Sequence, residues 1–114
     1  MHISGVHLTP IGEGDFLLEP TQGLDIANSD DLIEKVLAKV QLSKGQRLYY
    51  DLSSLALIDP VYYQWMRRLA RACQAVNIQM VCIHMQPTAA FGLSQFLHET
   101  PPFICALDVE RHIR

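Results

Sequence analysis

Three aspartates lie where an α/β chain places its chemistry. Asp25 precedes a helix, Asp51 closes an apolar run, and Asp59 stands directly before Pro60. Carboxylates gathered at one end of a sheet could do acid/base work. The same positions suit helix caps and loop hydrogen bonds, and the caps are the favoured reading. The five histidines, at 2, 7, 84, 98 and 112, form no recognised metal spacing with one another, a cysteine or a carboxylate. His84 reads as a core or rim residue at the end of a strand. Cys73, Cys82 and Cys105 are widely spaced in apolar surroundings and read as small buried hydrophobes of a reducing compartment. No phosphate loop, dinucleotide glycine fingerprint or nucleophile elbow occurs. The expectation is a protein that is not an enzyme and uses no cofactor or metal.

The elements that must position these residues can be read from the pattern. Val6 to Ile11 alternates weakly as a strand. Gly12-Glu13-Gly14-Asp15 is a turn, and Phe16 to Glu19 is the return strand, stopped by Pro20. A helix follows, capped by Asn28 or Ser29, with Ile33, Val36, Leu37 and Val40 on its buried face. Arg47 to Asp51 reads as a central strand. Pro60 at the first helical position opens a helix to Val76, with Asp59 as its N-cap. Val61, Trp65, Leu69, Cys73 and Val76 form its apolar face. Arg67, Arg68 and Arg71 form the other side, read as solvated rather than as a patch for an acidic partner. Gln79 to His84 suits a parallel strand covered on both faces. A short helix over Ala89 to Leu97, an edge strand over Phe103 to Cys105, and a last helical turn or two over Leu107 to Ile113 complete the chain. The expected class is α/β, with a mixed, mostly parallel β-sheet of about four to five strands and about four helices.

The 114 residues suit one domain, 1–114, with a core of its own. The composition is 49% hydrophobic and 18% charged, which is globular rather than disordered. The net charge of -3 without a basic stripe argues against nucleic acid. No apolar run approaches the roughly 20 residues of a membrane span. No leader is read at the start, so a cytoplasmic location is expected.

From Leu24 to Leu97 the sequence resembles the STAS domain, named for sulphate transporters and anti-sigma factor antagonists. Gly23-Leu24-Asp25 with Leu32 looks like the approach to the family's first helix. Tyr50-Asp51-Leu52-Ser53 is similar to its strand-Asp-Leu-Ser turn, and Ile58-Asp59 before a helix to its Ile-Asp-Ser switch site. Leu69-Ala70-Arg71-Ala72, then Gln79 to Cys82, and Met85-Gln86-Pro87 follow in the family's order. Ala106 to Glu110 resembles the tail of small stressosome scaffold proteins.

The resemblance implies a non-enzymatic interaction module of bacterial signalling. Such a module acts as an anti-sigma factor antagonist or stressosome-like scaffold. Its partners would be a serine-kinase anti-sigma factor or other STAS proteins, and it could form homo-oligomers. The family's phosphorylated Ser or Thr follows the aspartate matching Asp59, and here that residue is Pro60. A second phosphosite of stressosome relatives matches Gly92. Asp59 and Pro60 are thus a degenerate switch site. Without the hydroxyl, the phosphate's roughly two charges cannot be added there. Ser53 and Ser54 are either substitute phosphosites or plain turn-formers. Asp25, Ser53, Ser54, Val61, Tyr62 and Tyr63 are the candidate docking residues. The two tyrosines either anchor a partner or divide between core and surface. The alternative reading is a STAS domain that senses a small ligand or nucleotide at the carboxyl ends of the strands.

Overall fold

The computed structural model describes residues 2–109. The elements run β1 (His2–Ile3), β2 (Val6–Ile11), β3 (Asp15–Pro20), a 3-10 turn (Ile26–Asn28), α1 (Ser29–Leu42), β4 (Arg47–Asp51), α2 (Pro60–Ala75), β5 (Gln79–Ile83), α3 (Pro87–Ser94) and β6 (Ile104–Ala106). The strands form one sheet in the order β1-β2-β3-β4-β5-β6. β1, β2 and β3 pair antiparallel, and β3 through β6 pair parallel. The class is α/β with a mixed sheet, as expected.

Two differences from the sequence reading have simple causes. The sheet has six strands because the two-residue β1 adds to β2 through His2↔His7 and Ile3↔Val6. So short a strand carries no periodicity. Three α-helices occur among the described residues. Most of the helix expected over Leu107 to Ile113 lies outside them.

Each parallel crossover carries one helix, and right-handed crossovers between neighbouring strands in sequential order put all three on the same face. The burial pattern agrees. Phe16, Leu18, Leu48, Tyr50, Met80 and Cys82 share one core with the inner sides of the helices. Residues one position along each strand point the other way. Tyr49, Val81 and Ile83 form a second cluster with Leu17, Ala106 and Val109. β5 is therefore covered on both faces, which explains its unbroken apolar run.

α2 is the central helix. Trp65, Met66, Leu69 and Cys73 are buried at helical spacing. Trp65 is 2% exposed, so truncation to alanine would cost about 3–5 kcal/mol. The arginines behave mainly as a solvated face with local anchors. Arg67 pairs with Glu99 at 3.4 Å. Arg68 donates to the buried Ser29 hydroxyl at 2.7 Å and also pairs with Asp30. The exposed pair adds little. The bond to Ser29 matters more, because it satisfies a buried hydroxyl where α1 meets α2.

Candidate functional site

The carboxyl end of β4 leads into a loop held at both ends. Leu52 and Ile58 are fully buried, and Leu52 N–H donates to Ile83 O at 2.9 Å. Between them Ser53, Ser54, Ala56 and Leu57 are exposed. The Asp51 carboxylate accepts from Ser53 N–H at 2.8 Å and lies 3.2 Å from His84 Nδ1. Burial alone would raise the Asp51 pKa. The bonds from Ser53 and the neighbouring His84 outweigh it and hold the carboxyl below its ordinary value. His84 itself is exposed at the rim, with a positive φ of 58° that ends β5 one residue earlier than its apolar run suggested.

The loop enters α2 through the expected cap. Asp59 accepts from Tyr62 N–H at 2.7 Å, and Pro60 occupies the first turn. A proline there loses no hydrogen bond, since that N–H has no helical acceptor. Asp25 caps the 3-10 turn by accepting from Ala27 N–H at 3.1 Å. Each of the three carboxylates is thus engaged by backbone of its own loop. Among the described residues no His, Cys, Asp or Glu group could hold a metal.

The two tyrosines take different places. Tyr63 is 5% exposed, with edge contacts to Phe96 and Phe103. Tyr62 is half-buried, and its hydroxyl lies 2.5 Å from that of Tyr50. Trp65 Nε1–H donates to the same Tyr50 oxygen at 2.8 Å. Burial pushes the Tyr62 hydroxyl up to about 12, and it holds the Tyr50 hydroxyl well above its ordinary value. The trio ties β4 to the first two turns of α2. It was missed from sequence because a separation of 15 positions between Tyr50 and Trp65 carries no periodic signal.

Leu57, Val61 and Phe91 are exposed apolar side chains at this end, and Leu107, just past β6, is a further one. Of these, only Val61 was singled out from sequence. α3 brings Phe91 to the loop. Thr88 Oγ1 donates to Ala56 O at 2.5 Å, and Gln86 Nε2 donates to Ser53 O at 2.7 Å. Gly92 lies against Leu57, where an added Cβ would meet Leu57 Cδ1 at 3.0 Å. The loop, the start of α2 and the outer side of α3 therefore form one ledge. Pro60 and Gly92 both lie on it.

Two depressions are relevant to ligand binding. One of about 350 Å³ lies beside the ledge, between Pro20, Leu24, Ile26, Leu55 and Tyr62. A larger one of about 800 Å³ lies at the opposite end of the sheet, lined by Gln46, Arg47, Gln74, Asn77 and Phe103. The larger is amide-rich, contains no acid/base pair and is far in the fold from the aspartate loops.

No protein-family model and no curated protein sequence matches the chain. Solved structures do, and the fold they define is that of a STAS domain. RsbS from Moorella thermoacetica, in a serine-to-glutamate variant, aligns at a TM-score of 0.73 and 17% identity, over 96% of this chain and 92% of that one. A chain from the stressosome, described as a signal integration and transduction hub, aligns at 0.74 and 14% identity, over 94% and 92%. The unphosphorylated anti-sigma factor antagonist SpoIIAA aligns at 0.62 and 14% identity, over 95% and 93%. At these identities the likeness speaks for the fold.

Among the described residues no helix is long and apolar enough to cross a membrane.

Proposed function

We propose that this chain is a non-enzymatic docking module of bacterial signalling with a permanently set binding surface. It acts as an anti-sigma factor antagonist or as a stressosome-like scaffold in the cytoplasm. Its partner is a serine-kinase anti-sigma factor or another STAS protein. One observation carries the reading: Leu57, Val61 and Phe91 are 63%, 65% and 69% exposed on the ledge that also holds Pro60 and Gly92. Single exposed apolar residues are ordinary, but a group of them marks an interaction surface. By family resemblance, Pro60 and Gly92 occupy the two phosphorylation positions, and neither has a hydroxyl. An apolar ledge gains from burial, whereas a phosphate on it would have to be desolvated. Phe91 is the aromatic anchor, flanked by Leu57 and Val61. Asp25, Ser53, Ser54 and Tyr62 form the polar rim, and Tyr63 supports the ledge from beneath.

The test is capture of a purified serine-kinase anti-sigma factor, or of a stressosome STAS protein, by the native chain and by a Leu57→Ser, Phe91→Ser variant. The native chain should bind equally with and without ATP, and the variant at least tenfold more weakly. Equal capture by both would refute the docking face. Phosphate transferred to Ser53 or Ser54, with loss of binding, would refute the permanent setting.

A second reading, small-ligand or nucleotide sensing, draws on the depression beside Tyr62. A melting temperature raised by a nucleotide would favour it.

A further inference from the structure

Cys82 is the next-to-last residue of β5, and Cys105 lies at the centre of the edge strand β6. The parallel register makes them direct partners, Cys82↔Cys105. Partner residues on neighbouring strands point to the same face, and the strands lie about 4.8 Å apart. That falls within the Cα separation a disulfide accepts, about 4.4–6.8 Å. Burial raises the Cys82 pKa, and the neighbouring Cys105 thiol adds to the rise. Cys82 is buried, whereas Cys105, expected from sequence to be buried, is exposed on the edge strand with its thiol only partly covered. β6 has three residues and, among the described residues, pairs with β5 alone, so it can adjust by the few tenths of an ångström a bridge requires. Cys73, the third cysteine, is buried on α2.

We infer that Cys82 and Cys105 are an oxidisable pair that closes into an intramolecular disulfide, locking β6 to β5 around the α3 crossover. The oxidant is a hydroperoxide. The exposed Cys105 thiolate attacks the peroxide oxygen and becomes a sulfenic acid, releasing the first water once protonated. The Cys82 sulfur then attacks the Cys105 sulfur, forming the S–S bond and expelling the second water. Two thiols and one hydrogen peroxide thus give one disulfide and two waters. Burial raises both thiols above their ordinary pKa, so closure is slow at neutral pH and quickens as pH rises. The bridge encloses α3, which carries Phe91 and Gly92, so oxidation stiffens one wall of the ledge. It joins residues 82 and 105, a loop long enough for cross-linking to restrict the unfolded chain.

The test is treatment of the intact native chain with hydrogen peroxide, followed by alkylation and non-reducing peptide mapping. The expected product is a linked Cys82–Cys105 peptide pair, Cys73 remaining alkylatable only after unfolding. Its melting temperature should rise by several degrees and fall back on addition of a dithiol. Formation should be at least tenfold faster at pH 9 than at pH 7. The Cys105→Ser variant, altered at an exposed position, should fold and show neither the bridge nor the rise. Oxidation of Cys105 to sulfinic acid with Cys82 still a free thiol would overturn the inference. So would a Cys105–Cys105 cross-link between two chains as the main product.

Discussion

Gly92 packs against Leu57 so closely that a Cβ on the glycine would approach Leu57 Cδ1 to 3.0 Å. The atom it meets is the free end of an exposed side chain, which can rotate away. Gly92→Ala also removes a helix-interior glycine, a gain of about 1 kcal/mol. The two effects offset, and a urea midpoint should place the variant within about 1 kcal/mol of the native chain. Gly92→Val adds branched methyls toward Ile58 O, which lies 3.6 Å from the Cβ position. It should be measurably less stable than Gly92→Ala.

The Tyr50, Tyr62 and Trp65 trio is a buried network in which the central member is Tyr50. Tyr62→Phe removes one partner and leaves Tyr50 with the bond from Trp65. A loss of about 1 kcal/mol is expected. Tyr50→Phe removes the 2.8 Å acceptor of the buried Trp65 N–H and also the partner of Tyr62, and should cost more, about 1–3 kcal/mol. Paired denaturation curves check the order. Equal losses would contradict the central place of Tyr50.

Asp59→Ala removes the side-chain acceptor of Tyr62 N–H and should lower stability by about 1 kcal/mol. Pro60→Ser restores the hydroxyl that the family resemblance expects there. It also frees the unfolded chain, for a loss of about 0.4–1 kcal/mol. With a cognate serine kinase and ATP, Pro60→Ser should become labelled at position 60 and then lose partner binding. A native chain labelled as strongly would contradict the reading of Pro60 as a missing switch.

Alkaline pH should unfold the chain in a defined window. Tyr62 has its pKa raised from 10.0 to about 12. The folded state therefore holds the phenolic proton where the unfolded chain has released it. The stability this provides is present below pH 10 and is lost as pH rises through about 12. Denaturant midpoints should fall over that window, and less steeply in Tyr62→Phe. An identical slope in both would show that Tyr62 ionisation is not linked to unfolding.

The sequence by itself determined every element that has a period or a boundary signal. The alternation of Val6 to Ile11, the cap formed by Asp59 and Pro60, and the apolar run of β5 each depend on neighbours a few residues away. The absence of a hydroxyl at positions 60 and 92 was likewise legible, because composition at one position needs no fold to be read. Only the tertiary structure decided which side chains meet across the chain. It turned Tyr63 inward against Phe96 and Phe103 and joined Tyr62 to Tyr50. It left Leu57, Val61 and Phe91 facing solvent. Burial at such positions is set by crossovers that bring α3 to the β4–α2 loop and β6 to β5. One-dimensional periodicity gives the face a residue occupies on its own element. The presence of another element over that face depends on how the chain returns.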